Sequence, residues 1–134
     1  MQNKKSLYVC EHLLAFIFGF FVYGALEILW RGFTHPSMLF LGGICFLTIF
    51  MLENKLKRRL HPIFRSLVYC AFITGCELMC GILLNRILGL SVWDYSEIPL
   101  NFLGQICFGF SVLWFFISVF CIFICKGIRF VFEQ

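Results

Sequence analysis

Four apolar stretches, at about residues 13–32, 38–52, 63–84 and 100–125, take up most of this 134-residue chain and leave little else to fold. Crossing about 30 Å of hydrocarbon takes roughly 20 mainly apolar residues in a helix, and lipid accepts only backbone whose polar groups are bonded internally. The second stretch is the shortest and the fourth the longest, a difference that tilt absorbs. Charged residues make up 13% of the chain, against about a quarter in soluble domains. The expected fold is an all-α membrane protein of four transmembrane helices, a single transmembrane domain over residues 1–134.

The chain also repeats itself. Residues 39–46 read LFLGGICF and residues 101–108 read NFLGQICF, the same FLGxICF letters 62 positions apart; Thr34 matches Ser96 at that offset. Glu27 matches Glu77 at an offset of 50, so the second copy carries twelve extra residues in its loop. Each copy reads as an apolar helix with an internal glutamate, a loop with a hydroxyl cap, and a second apolar helix. Repeat one falls at about 13–52, repeat two at about 63–125, and a charged, partly helical linker at 53–62, where Pro62 opens the third span. Two spans per copy make the copies parallel-repeated helical hairpins, related by an axis along the membrane normal. Thr34 is the expected N-cap of span two, with Pro36 in its first turn, and Ser96 and Pro99 repeat that arrangement ahead of span four.

Lys and Arg set the orientation. Lys4 and Lys5 precede span one, Lys55, Lys57, Arg58, Arg59 and Arg65 lie between spans two and three, and Lys126 and Arg129 follow span four. Nine of eleven cations thus fall on one side, with only Arg31 and Arg86 on the other. Both termini are expected in the cytoplasm, in one orientation rather than two. The net charge of +4 is a topology signal, and no nucleic-acid partner follows from cations scattered in this way. The first span has the basic flank of a secretory signal, but it is too long, contains Glu27 and ends at Trp30-Arg31, so it is expected to be retained.

Glu27 and Glu77 each lie about fourteen residues, or roughly 21 Å, along their helices. A carboxyl in hydrocarbon costs about 2.5 kcal/mol or more, and normally faces a bundle interior or an aqueous cavity. The functional reading is a cation or proton site in which the repeat-related pair converges on a central vestibule; the structural reading is a pair of hydrogen-bonding struts. Trp93, Asp94, Tyr95 and Ser96, with Asn101 and Gln105 four apart on one face at the start of span four, form a second constellation. Trp30, Arg31, Thr34 and His35 are its counterpart in the first loop. Trp and Tyr commonly anchor at the membrane interface, whereas aromatic and polar groups converging at a concave mouth suit small-molecule recognition. Arg31 is an expected partner of Asp94 or Glu27, and Arg86 of Asp94 or Glu97. The longer second loop is expected to fold over the mouth as a lid.

The eight cysteines lie within or at the edges of the spans. Buried cysteine acts as a small hydrophobe at helix contacts, so neither a disulfide framework nor a metal site is expected. There is no nucleophile elbow, phosphate loop or metalloprotease motif; hence neither enzymatic activity nor a cofactor is expected. The paired carboxylates favour a transporter or channel, or the membrane subunit of one, for a small, cationic solute or an ion. Four short helices enclose little volume, so a homo-oligomer, a dimer first, is expected to complete a pathway. The alternative is a non-transporting binding or accessory protein: a receptor, an immunity factor or a partner subunit.

Glu27 in span one, the W-x-G-x-T-H-x-S-M run at 30–38, the Gly-Gly-Ile-Cys turn at 42–45, the Trp-Asp-Tyr-Ser motif at 93–96 and the N-x-x-G-Q-I-C run at 101–107 together resemble one group. The chain is similar to the putative ABC-transporter type IV family of small bacterial integral membrane proteins, from about residue 24 to 114. The resemblance implies a multi-pass protein of the bacterial inner membrane. It also implies a separate ATPase subunit, since nothing in this chain binds nucleotide, and the basic stretch at 55–65 is the expected docking place.

Overall fold

In a computed structural model, residues 2–134 are described. Among them are four helices long and apolar enough to cross a membrane: α1 (Gln2–Arg31), α2 (Pro36–Leu56), α3 (Pro62–Gly81), which runs on into a π-helical segment (Ile82–Ile87), and α4 (Phe108–Phe132). The only strands among these residues are β1 (Asn101–Phe102) and β2 (Ile106–Cys107), an antiparallel pair. The all-α membrane architecture therefore holds. The chain divides into two compact units, one made of residues up to Leu60 together with Phe120–Gln134, the other of His61–Val119.

In the first unit, α1 ends because Gly32 takes a positive φ of 80° and returns its N–H to Ile28 O at 2.8 Å, a left-handed C-terminal stop suited to glycine. The start of α2 departs from expectation. His35, not Thr34, is the N-cap: its Nδ1 accepts from the Ser37 backbone N–H at 3.3 Å, and Pro36 opens the helix. Thr34 is drawn away because its hydroxyl donates to Glu27 at 2.6 Å. The same His-Pro device opens α3, where His61 Nδ1 accepts from Ile63 N–H at 3.4 Å ahead of Pro62.

Helices α1 and α2 cross backbone to backbone. A Cβ on Gly42 would lie 2.7 Å from Gly19 O, and one on Gly19 would strike Gly42 O and Phe46 Cβ. Around that crossing Phe18 meets Phe46 (centroids 5.0 Å apart) and Phe20 meets Phe40 edge-on at 5.3 Å. Removing Cβ atoms lets two helices approach until their peptide groups touch, a common solution in membranes, where no hydrophobic force drives helices together. At the far end of this unit Arg129 bonds Glu11 at 3.1 Å and Phe50 O at 2.8 Å, with its guanidinium 4.1 Å from the Phe50 ring centroid. Arg129 is thus a fixed interior cation within α4.

In the second unit, Arg65 lies in the first turn of α3 and is buried, which removes it from the solvated loop cations. Cys70 Sγ and Thr74 Oγ1 reach Ser111 O and Oγ on α4, at 3.1 and 3.4 Å. Beyond Gly81 the helix widens, Leu88 N–H bonding Leu83 O five residues back. Such π segments often mark functional positions.

The largest departure from expectation is the start of α4. It begins at Phe108, not near residue 100, and residues 101–107 form the hairpin instead. Leu103 and Gly104 take φ of 55° and 68°, and Gln105 N–H returns to Phe102 O at 3.0 Å, the mirror-image turn that suits hairpins. Asn101 and Gln105 therefore do not share a helix face, and Ser96 and Pro99 do not cap α4. The FLGxICF letters are helical in α2 and a hairpin before α4. The physical difference lies in what surrounds them. In α2 the Gly42 backbone is held against Gly19, whereas in the second copy Gln105 stands where Gly43 stood and its polar groups are claimed by Asn85 and Trp93.

Candidate functional site

Glu77 is the best-formed feature of the second unit. It lies on α3 with 2% of its surface exposed. Tyr95 Oη donates to Oε1 at 3.2 Å, and Trp114 Nε1 donates to Oε2 at 3.1 Å. The donors come from different elements, Tyr95 from the second loop and Trp114 from α4, so the carboxyl ties three parts of this unit together. Tyr95 is further fixed by stacking on Phe110, 5.0 Å between centroids at 12°. Trp114 escaped the sequence reading. Its signal was a tryptophan in the middle of an apolar span, whose indole N–H needs a partner when buried.

The loop that carries Tyr95 is pinned beneath its own polar groups. Trp93 is buried and donates its indole N–H to Gln105 O at 2.9 Å. Gln105 Oε1 accepts from Asn85 at 2.8 Å, Gln105 Nε2 donates to Leu103 O at 3.1 Å, and Asn85 Oδ1 accepts from Val92 N–H at 2.7 Å. Gly81 makes room for this plug: a Cβ there would lie 2.9 Å from Gln105 Cβ and 3.0 Å from Trp93 Cζ2. Asn101 donates to Ser96 O and Ile98 O and accepts from Gly104 N–H. The Asn101 amide thus bonds within the loop, and the Gln105 amide ties the hairpin to Asn85 of the π-helical segment. Trp93 and Gln105 thus pack this loop onto the end of α3 at Gly81.

Asp94 is exposed and accepts from the backbone N–H and the hydroxyl of Ser96. Those bonds hold its carboxyl below the ordinary aspartate value, with Arg86 adding a smaller contribution. Arg86 itself donates to Leu103 O at 3.2 Å.

In the first unit Glu27 is bonded by Arg31 at 3.1 Å as well as by Thr34, so Glu27 is a partner of Arg31, as expected. Arg31 also lies 4.4 Å from the centroid of the Phe33 ring. Trp30 is exposed at the last turn of α1, a location suited to interfacial anchoring. Glu27 thus accepts from a guanidinium and a hydroxyl, and Glu77 accepts from an indole and a phenol.

The sequence profile of the family described as Putative ABC-transporter type IV matches residues 8–132 of this chain. No solved structure matches it.

Proposed function

We propose that this chain, which belongs to the Putative ABC-transporter type IV family, is the membrane-spanning part of a transport system for a small cationic solute. In this reading Glu27 and Glu77 are its intramembrane carboxylates and Glu77 is the group that meets the solute. The observation that carries it is the Glu77 carboxyl itself, buried in an apolar helix and cradled by Tyr95 and Trp114. Ionisable groups at such positions are costly in hydrocarbon and mark substrate and ion pathways. The chain acts as a carrier or conduit and not as an enzyme. Both termini lie in the cytoplasm of a bacterial inner membrane, and a second copy completes the pathway.

Energy comes, in this reading, from a separate nucleotide-hydrolysing subunit docking at the exposed basic turn after α2, where Lys55, Lys57, Arg58 and Arg59 cluster. ATP-driven Tl⁺ and tetramethylammonium uptake into native bacterial membrane vesicles that contain the chain tests the function. Glu77→Gln should abolish uptake while the protein stays monodisperse; uptake retained by a folded Glu77→Gln overturns the reading. Impermeant thiol labelling of single reporters at Ser91 and Asn54, the first reactive from outside and the second from inside, tests the orientation.

A second reading, a non-transporting receptor, immunity factor or partner subunit, is favoured by one observation: the amides of Asn101 and Gln105 are taken up by bonds inside the second unit, to Ile98 O, Leu103 O and Asn85, which fixes the loop as a rigid surface. Equal uptake by native vesicles with and without the chain, together with capture of the chain by a membrane partner through this loop, is its signature.

A further inference from the structure

We propose that residues 101–107 have a second, helical state which extends α4 by two turns and uncovers Glu77, so that this segment gates the carboxyl. The gating role rests on the reading of Glu77 given above; the conformational exchange does not. The same FLGxICF letters are already helical at 40–46 in α2, so the sequence is competent for both states. The hairpin that replaces the helix has strands of only two residues, and isolated pairs of that size are marginal. Two leucines, Leu100 and Leu103, take positive φ of 56° and 55° to make it, a conformation unfavourable for a side chain with a Cβ.

Two carbonyl groups tie the hairpin to Trp93 and to the residue that covers Glu77. Gly104 O accepts from Tyr95 N–H at 2.8 Å and Gln105 O accepts from Trp93 Nε1 at 2.9 Å. In a helix running back to Asn101 those carbonyls would instead accept from the N–H groups of Phe108 and Gly109, four residues on. At present these N–H groups belong to the first turn of α4, where intrahelical partners are lacking by construction, and Phe108 N–H turns to Leu100 O at 3.2 Å. Winding the helix therefore releases Trp93 and Tyr95 together, and Tyr95 is the residue that covers Glu77 Oε1. Opposing it, the hairpin state keeps the Asn85–Gln105 bond and the packing of Trp93 on Gly81.

Two substitutions bias the balance in opposite directions. Gly104→Ala is strained in the hairpin, where φ is 68° and the new Cβ meets Ser96 Oγ and Asp94 Oδ1, and alanine favours helix over glycine. Leu103→Gly relieves the left-handed position and weakens the helix. Spin labels on ketone-bearing residues at Leu100 and Phe116, both exposed, leave the native cysteines in place. In nanodiscs the hairpin should give a separation of about 12 Å along α4 and the extended helix about 24 Å, from 1.5 Å per residue. Both populations are expected in the otherwise native chain, the longer enriched by Gly104→Ala and depleted by Leu103→Gly. Modification of Glu77 by dicyclohexylcarbodiimide, followed by mass spectrometry, should be severalfold faster in Gly104→Ala and slower in Leu103→Gly. A single short distance in all three proteins, or a broad distribution with no long component in Gly104→Ala, overturns the exchange. Distances that shift while Glu77 reacts at one rate overturn the gate. Cation uptake that survives Glu77→Gln overturns the transport reading, and the gating role with it, and leaves the conformational exchange standing.

Discussion

The indole of Trp114 donates to Glu77 Oε2 at 3.1 Å from a position 37 residues further along the chain, so a mid-span tryptophan serves as a ligand of a carboxyl and not only as apolar filling. Trp114→Phe keeps the ring and deletes the donor, leaving a buried carboxyl oxygen short of one bond. Tyr95→Phe does the same at Oε1. Each should destabilise the protein by about 1–2 kcal/mol, read as a lower apparent melting temperature in detergent by fluorescence-detected gel filtration. Glu77→Leu in the Trp114→Phe background should recover part of the loss, since no unsatisfied carboxyl remains. If Trp114→Phe is neutral, the indole is not a functional partner of Glu77.

The α1–α2 crossing gives a prediction with its own control. Gly42→Ala would drive a methyl into Tyr23 Cβ and to 2.7 Å from Gly19 O, and neither a Cβ nor a backbone carbonyl can swing aside as the end of a long side chain can. Overpacking of this kind costs about 1–3 kcal/mol. Gly75 on α3 has nothing within 4 Å of its would-be Cβ, so Gly75→Ala should be neutral or stabilising by up to about 1 kcal/mol through helix propensity. Melting temperatures of the two variants in the same detergent should move in opposite directions, or at least differ by several degrees. Equal shifts would mean that the crossing is looser than described.

The four spans were legible because hydropathy over some twenty residues depends on composition, not on neighbours, and Pro36 and Pro62 marked helix starts that both hold. The caps were less legible: Thr34 has the better intrinsic capping side chain, but Glu27 competes for its hydroxyl and His35 takes the role. The start of α4 was misread because periodicity and repeat logic both favoured helix through 101–107. The hairpin is decided by Asn85 and Trp93, which lie 20 and 12 residues from Gln105 and which no local window contains. Of the candidate site, the two glutamates, Tyr95 and Arg31 were found from residue type and position. Asn85, Gly81 and Trp114 were not, because each matters only through a tertiary contact.

Asp94 is the only aspartate in the chain, so its titration gives a single carboxyl NMR signal after selective labelling. The Ser96 hydroxyl and N–H hold its value below that of an ordinary aspartate. A depressed folded value contributes stability above the unfolded value, about 3.9, and that contribution is lost as pH falls through the folded one. The loop should therefore show no Asp94-linked change between about pH 5 and 8. Ser96→Ala should move the midpoint up toward the ordinary value. A midpoint unchanged by Ser96→Ala would remove the hydroxyl as the leading cause.

Arg129 links three helices' worth of backbone and side chain in the first unit: it sits on α4, pairs with Glu11 of α1 and donates to the Phe50 carbonyl of α2. The paired side chains are only 12% and 15% exposed, so truncating either one strands a partly buried charge. Breaking such a pair costs about 3 kcal/mol, whereas replacing both members with apolar groups is often nearly neutral. Arg129→Leu and Glu11→Leu should each lower stability by about 2–3 kcal/mol, and the double variant should lose clearly less than the sum. Arg129→Lys keeps the charge but lacks the planar fork that reaches Glu11 and Phe50 O together, so it should fall between wild type and Arg129→Leu. Denaturant titration of the four variants in mixed micelles measures the coupling. Strictly additive losses would show that the two charges do not depend on each other, and the contact would then be incidental to the fold.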